Sequence, residues 1–512
     1  MANVNVNIAI QRVTGELARA QKNDDLSIAV AFRDDDVRSV RALIIGPPET
    51  PYEFGFFEFE LRFPKDYPLK SPVVRALTTN GGRTRFNPNI YSEGKVCLSI
   101  LGTWRGEPGE EWSSAQGLES VLLSIQSLMS PNPYENEPGH EYARKSDKAP
   151  TEYIRKIRHE TIRVSVLRRL EQLLKVDPNK CAEGIVIDDR SSKRLKTMKM
   201  DESLRPDSPM QAAHSLAAPE IHGASKSSSS SSATPVIASG TSTPATSVDA
   251  YEYDAEAAYH ALDPSPWKPF ADLFKRRFLW YYTTYLSTIE AAQQEQKDGK
   301  MFELTDFESQ SNGMTGSYQF SNLHSRLRNV KAALEAEKDA WVEQGLTYVA
   351  ASRTLATQLA FQFQQLKCEC DDSTRPGSRL DLSLPDPTNP FLWHITLFGQ
   401  SEHNLDEGIF FITLHIPPTF PQDAQPRVTF QTRIFHHRVC PDTGALCYFP
   451  KNEESLASHL QAIVEAVEDV NPRFDPRASV HPEAGRLRWG SEEDQKLYKR
   501  KLRRSAQASV EA

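Results

Sequence analysis

RTRFNPNIYSEGKVCLSILGTWRGEPGEEWSSAQGLESVLLSIQSLMSPNP, residues 83–133, holds one cysteine, Cys97, in the run Gly-Lys-Val-Cys-Leu-Ser-Ile-Leu. Pro88 fixes its own φ and restricts Asn87, so Asn87-Pro88-Asn89 predicts a short rigid turn. Asn89 brings an amide able to donate to a developing oxyanion. Leu118, Val121, Leu122, Ile125, Leu128 and Met129 recur at helical spacing and predict one buried helical face. The stretch therefore predicts a cysteine on a rigid segment beside an amide donor, with a core helix behind it.

Working outward, Val6, Ile8, Ile10, Val13, Leu17 and Ala18 predict an amphipathic opening helix over 5–21. Strands follow near 26–32 and 40–45. Phe57, Phe59, Leu61 and Phe63 then alternate with Glu58, Glu60 and Arg62, a period of two that predicts one buried and one wet face. Residues 150–174 are again helical. Short-turned strands backed by helices give an α+β domain with an antiparallel sheet.

At these residues the sequence resembles the ubiquitin-conjugating enzymes. Gly46-Pro47-Pro48, Thr50-Pro51-Tyr52, Gly55-Phe56-Phe57, Phe63-Pro64-Lys65-Asp66-Tyr67-Pro68 and Ser71-Pro72 come in the family's order. Asn-Pro-Asn, where most members have His-Pro-Asn, is similar to the Z type. So are Gly102-Thr103-Trp104, Asn136-Glu137-Pro138-Gly139 and the run from Arg158 to Val164. The resemblance implies a thioester carrier with Cys97 as the thiol and Asn89 beside it, stabilising the oxyanion directly or by holding its loop. It implies ubiquitin or a ubiquitin-like protein, an activating enzyme and ligases as partners, the opening helix as a docking element, and no cofactor. Glu135 is the candidate for orienting the acceptor lysine, with Glu137 competing. Ser99 stands where many members have aspartate. Glu107, Glu110 and Glu111 in the loop after Cys97 either steer a lysine or form a solvated surface loop.

The last 175 residues read as a second copy. A helix is expected over 342–366. Gly399 and Gly408 repeat Gly46 and Gly55, and Phe420-Pro421 repeats Tyr67-Pro68. Phe435-His436-His437-Arg438 stands for Phe86-Asn87-Pro88-Asn89, and Cys447 stands for Cys97. Arg438 replaces the amide and His437 the turn proline, so Cys447 is a doubtful second thiol, although nearby positive charge favours a thiolate. A degenerate domain that contacts the first copy, ubiquitin or a ligase is the expectation. The organisation read is thus 1–175 conjugating domain, 176–255 disordered linker, 256–337 helical extension and 338–508 second conjugating-enzyme-like domain.

Rival chemistries have residues too. A thiol hydrolase would pair Cys97 with His140 or His159, both otherwise surface or helix-capping groups. Zinc would draw on His436, His437, Cys440 and Cys447, or Cys368 and Cys370, but the spacing fits no common ligand pattern, and no metal site is expected. A ubiquitin-binding scaffold without chemistry is the third reading, and the second copy suits it best.

Bulk properties narrow the field. The net charge of −8 argues against a nucleic-acid binder. No apolar run approaches bilayer length, and the N-terminus lacks a basic-then-apolar signal, so no membrane partner is expected. Six scattered cysteines fit a reducing compartment, cytoplasmic or nuclear. Residues 203–249, rich in Ser, Ala, Thr and Pro, bury too little apolar surface to order. The basic cluster at 190–199 is an import signal or a solvated linker. Phe274–Ile289 is too aromatic to remain in water and predicts a helix covering the first domain.

Overall fold

The computed structural model describes residues 2–22, 25–178, 267–308, 314–371, 379–400 and 403–511. The segment 203–249 and the basic cluster at 190–199 lie outside the described residues. Among the described residues no helix is long and apolar enough to cross a membrane.

Helix α1 (Ala2–Lys22) leads into β1 (Ile28–Arg33), β2 (Asp36–Ile45), β3 (Phe56–Arg62) and β4 (Val73–Ala76), an antiparallel sheet in sequence order. Val40, Ala42 and Ile44 face Leu61, Phe59 and Phe57 across the central pair. That face buries Ala9, Val13 and Leu17 of α1 and Leu118, Val121, Leu122 and Ile125 of α2 (Leu118–Ser127). One carboxylate fixes the two helices relative to each other. Buried Glu16 on α1 accepts from the Tyr67 hydroxyl at 2.7 Å and from the Leu118 amide of α2 at 2.8 Å.

The other face of this sheet is wet only towards the Arg62 end of β3, where the period-two reading holds, and is covered over the rest. α3 (Lys148–Glu160) continues through a π-helical stretch, Thr161–Arg168, into α4 (Arg169–Leu174). With α5 (Ala271–Glu295) they cover Leu43, Ile45, Phe54 and Phe56. Phe54 stacks on Tyr281 at 4.0 Å, and Phe56 packs on Phe274 at 4.9 Å. Glu58, expected in solvent, is buried and paired with Arg169 at 2.6 Å. The helices lie so close that a Cβ on Gly55 would come within 2.6 Å of both Thr161 and Ser165. Apolar and charged residues alternate on β3, but burial on its second face comes from a helix more than 200 residues away in sequence.

α6 (Phe320–Ala350) follows and packs Leu323, Leu327, Val330 and Leu334 into the same cluster as α5. Arg326 forks onto Glu171 at 2.7 and 2.8 Å. Farther along, Trp341 lies 5.2 Å from the Arg427 guanidinium of the second half. The junction expected at 337/338 therefore falls inside one continuous helix. The helix expected over 342–366 is instead interrupted, with Ser352 left-handed at φ 49°, before α7 (Thr354–Asp371) begins. α7 then stands to the second sheet as α1 does to the first.

That sheet runs β5 (Leu380–Ser383), β6 (Leu392–Phe398), β7 (Ile409–His415), β8 (Arg427–Phe430), again antiparallel in order. α8 (Leu456–Glu468), α9 (Pro482–Arg488) and α10 (Glu492–Val510) complete it. The repeat is close in detail. Gly46 N donates to Gly55 O at 2.8 Å and Gly399 N to Gly408 O at 2.9 Å. A Cβ on either leading glycine would sit 1.7 Å from a backbone oxygen, that of Tyr52 or Leu405. Tyr67-Pro68 and Phe420-Pro421 are both cis.

The chain between α5 and α6 is latched to α3. Lys156 is buried and paired with buried Glu308, and its ammonium also donates to Glu303 O at 3.1 Å. His159, expected at the surface or as a cap, is buried. Its Nε2 accepts from Gln319 N at 3.1 Å, which leaves the ring proton on Nδ1, 3.1 Å from Glu160. Burial pushes the Glu160 carboxyl up, but the Arg163 and His159 hydrogen bonds more than reverse it and hold it at about 2. Removing one partner of the Lys156–Glu308 pair leaves a buried charge alone. Glu308→Ala is expected to destabilise the fold by roughly 3–5 kcal/mol. Chemical denaturation checks this, and an unchanged midpoint would show that the latch contributes nothing.

Candidate active site

The Asn87-Pro88-Asn89 turn is held by the first asparagine. Asn87 is fully buried. Its amide donates to the Tyr52 hydroxyl at 3.0 Å and to Leu128 O at 2.7 Å, and its Oδ1 accepts from Asn89 N at 2.9 Å. The chain then forms a narrow hairpin about Glu93-Gly94. Tyr91 N donates to Lys95 O at 2.9 Å, and Cys97 N donates to Asn89 O at 2.8 Å. This register puts Asn89, Tyr91 and Cys97 on one face. The Asn89 amide donates to the carbonyl of Cys97 itself at 3.0 Å. This contact ties the turn to the backbone of the cysteine.

After Cys97 comes a single 3-10 turn, Ser99–Leu101, closed by left-handed Gly102 at φ 68°. Thr103 then donates to Val96 O at 2.7 Å and accepts from Leu98 N at 3.0 Å, which brackets the cysteine. Ser99 donates to Glu110 at 3.1 Å, and Glu110 also accepts from Glu107 N at 3.1 Å. The acidic loop thus closes on itself and does not line the thiol's cleft.

That cleft, of about 280 Å³, is lined by Pro88, Asn89, Tyr91, Cys97, Trp104 and, across it, the segment Glu135–Pro138 with Glu141. Glu135 and Glu137 both reach it. Glu137 is 3.6 Å from Arg85, while Glu135 accepts a 3.4 Å contact from Asn132 and has no ion-pair partner among the described residues. The Cys97 residue is only 4% exposed. Burial pushes its thiol up; Lys95, a hydrogen bond from Tyr91, and Arg85 pull it back, and Glu93 opposes them. The resting site therefore stores a thiol rather than a free thiolate. Tyr91 and Arg85 were missed from sequence. The period-two spacing of Asn89 and Tyr91 around the hairpin carried a signal for Tyr91, whereas Arg85 precedes the turn and shows none.

No histidine lines this cleft. His140 instead packs on Tyr134 at 5.0 Å. In the second copy, the Nδ1 of His436 accepts from Arg438 N at 3.2 Å, and that of His437 lies 3.2 Å from the Tyr498 hydroxyl. The Cys440 sulfur lies 3.3 Å from Thr283 Oγ1. Among the described residues no three of His, Cys, Asp and Glu are grouped to hold a metal.

Cys447 keeps the backbone of the site and loses its access. Its N–H donates to Arg438 O at 2.8 Å, as Cys97 N–H does to Asn89 O. The Cys447 residue is fully buried, in a cluster with α5. Thr443 donates to Leu279 O at 2.8 Å, Tyr281 donates to Arg477 O at 2.9 Å, and Trp280 packs on Phe449 at 5.7 Å. Arg438 pulls the thiol down as expected, but burial outweighs it, and His437 does not carry the charge that its part required. Burial pushes the Cys447 thiol up to about 11 against the pull of Arg438 and Arg277, and burial also holds His437 neutral, far below its usual range. Under native conditions an alkylating agent is expected to label Cys97 progressively faster as the pH rises above 8, and Cys447 only after unfolding in guanidinium. Peptide mapping reads both, and native labelling of Cys447 at the rate of Cys97 would contradict its burial.

Comparison with known proteins agrees with this geometry. A family model described as ubiquitin-conjugating enzyme matches residues 12–161 and 365–506. The ubiquitin-conjugating enzyme E2 Z of Xenopus tropicalis is 49% identical over 165 residues, 32% of this chain and 51% of that protein. Its Homo sapiens counterpart is 54% identical over 136 residues, 27% of this chain and 37% of that protein. The dual E2 ubiquitin-conjugating enzyme/E3 ubiquitin-protein ligase BIRC6 of Mus musculus is 38% identical over 177 residues, 34% of this chain and 4% of that protein. The chain spans about half or less of the length of these relatives. Two copies of the sheet and helices, each with a cysteine on the same hairpin, coincide with the two matched segments, which together exceed half of the chain. The chain belongs to the ubiquitin-conjugating enzyme family, and its first copy is of the Z type.

Proposed function

We propose that the chain is a transferase that accepts ubiquitin or a ubiquitin-like protein from an activating enzyme as a thioester on Cys97 and passes it to a ligase or a lysine. The observation that carries this reading is the cleft itself: a cysteine on its floor, held through its own carbonyl by Asn89, with carboxylates opposite. In loading, the Cys97 thiolate attacks the carbonyl carbon of the incoming thioester. The carbonyl oxygen takes the negative charge, and collapse expels the activating enzyme's thiolate. In discharge, a neutral lysine amine attacks the Cys97 thioester, the Cys97 thiolate leaves, and the amine proton goes to a base. On this reading that proton goes to Glu135, which lines the cleft without an ion-pair partner among the described residues, whereas Glu137 is engaged by Arg85.

A second reading applies to the second copy alone. With Cys447 sealed beneath α5 and no amide at Arg438, it serves as a non-catalytic scaffold.

Loading assays with a panel of modifiers, with and without reductant, test the main reading. Wild type is expected to take up one modifier by intact mass, Cys447→Ala likewise, and Cys97→Ala none. Cys97→Ser is expected to give a slower, reductant-resistant oxyester, because a hydroxyl is the weaker nucleophile. Full reductant-sensitive loading of Cys97→Ser would move the active site elsewhere.

Asn89→Ala is expected to load nearly as wild type and to discharge to lysine more slowly, by the equivalent of about 2.7–4 kcal/mol in barrier. Single-turnover discharge measures this, and a wild-type rate would remove Asn89 from the mechanism.

A further inference from the structure

We propose that Arg85 is a positioning residue of the Cys97 site, a buried guanidinium that ties the Asn-Pro-Asn turn, Tyr91 and the Glu137 wall of the cleft into one unit. The inference rests on Cys97 as the reactive thiol and deepens that reading.

Arg85 is buried, as few arginines are. One of its terminal nitrogens donates to Pro88 O at 2.5 Å, the carbonyl that leads into Asn89. The same nitrogen lies 3.6 Å from Glu137 on the opposite wall. The guanidinium plane is faced by Tyr91 at 4.3 Å and by Phe307, from the chain between α5 and α6, at 5.7 Å. Each contact reaches a different part of the site. Pro88 carries the turn whose asparagine holds the Cys97 carbonyl, Tyr91 lines the cleft with Cys97, and Glu137 belongs to the wall that includes Glu135.

A planar, always-charged group is suited to this task. It gives a directional hydrogen bond and presents a face to an aromatic ring at the same time, which a lysine ammonium does not. The charged and titratable groups bearing on Cys97 are Lys95, Tyr91, Arg85 and Glu93, and Glu135, Glu137 and Glu141 share its cleft. Lys95 is exposed on the hairpin, and Glu93 beside it is half-buried. Arg85 is the buried cation among them, so its field on the thiol is screened least. Phe307 closes the far side of the guanidinium and gives the extension a direct contact with the site's supports.

The test uses the full chain with Arg85→Ala, Arg85→Met, which keeps bulk without charge, and Arg85→Lys. Two readouts are taken on each: the pH profile of Cys97 alkylation by iodoacetamide, and single-turnover discharge of the loaded thioester to lysine. The expected result is an upward displacement of the alkylation profile in Arg85→Ala and Arg85→Met, with alkylation at pH 7 slowed about fivefold. Arg85→Lys returns the profile towards wild type and leaves discharge slow, because charge is restored without the fork. Wild-type profiles and wild-type discharge in Arg85→Met overturn the proposal. A loss of thermal stability with no change in either readout overturns it as well, since that is a packing role only. Alkylation needs no modifier. If wild type never loads, the thioester reading fails, while the alkylation profiles still decide the role of Arg85.

Discussion

Burial of the aromatic helix α5 is the interaction on which both halves of the molecule depend. Phe274, Phe278, Tyr281, Tyr282 and Tyr285 lie in one cluster with Leu43, Ile45 and Phe56 of the first sheet and with Cys440, Ala445 and Cys447 of the second copy. A helix apolar around most of its circumference must be covered on more than one side. Here one side meets a sheet face and the other the hairpin of a former active site. Even its tyrosine hydroxyls are used: Tyr285 donates to Phe54 O at 2.8 Å in the first copy and Tyr281 to Arg477 O at 2.9 Å in the second. The same burial seals Cys447 in the second copy and covers most of the second face of the first sheet.

At Cys97 the balance goes the other way. The hairpin is the same, down to the 2.8 Å hydrogen bond from the cysteine amide, but it borders a cleft instead of packing against α5. Three cleft residues, Asn89, Tyr91 and Trp104, come from the turn, the hairpin and the loop that follows, and the first two are held by backbone hydrogen bonds of the hairpin. Burial there pushes the Cys97 thiol up, against the pull of Lys95 and Arg85.

Several of these features were legible in the residues. Proline and glycine fix turns locally, so Asn-Pro-Asn, the Glu93-Gly94 hairpin and the repeated Gly46 and Gly399 contacts could be read from short stretches. The helical period of Leu118, Val121, Leu122 and Ile125 and the strand period of β3 depend on one face meeting a core, and both were correct about that face. Glu58 shows where such reading stops. Period two identifies which residues share a face, while whether that face is wet depends on a helix far away in sequence. The helix break at Ser352 and the continuous run through 337/338 likewise follow from α6 spanning two packing partners, which no local pattern records.

By itself, then, the sequence determined the family, the two copies, and a cysteine with an asparagine beside it on one hairpin, because these rest on turn geometry and on residue types at short spacing. Tertiary structure decided which cysteine stays open, which carboxylate is left unpaired, and that Arg85 joins the walls of the cleft. Cys97 and Cys447 sit in the same local register and differ in what packs over them, and burial is a property of the assembled chain rather than of any stretch of it.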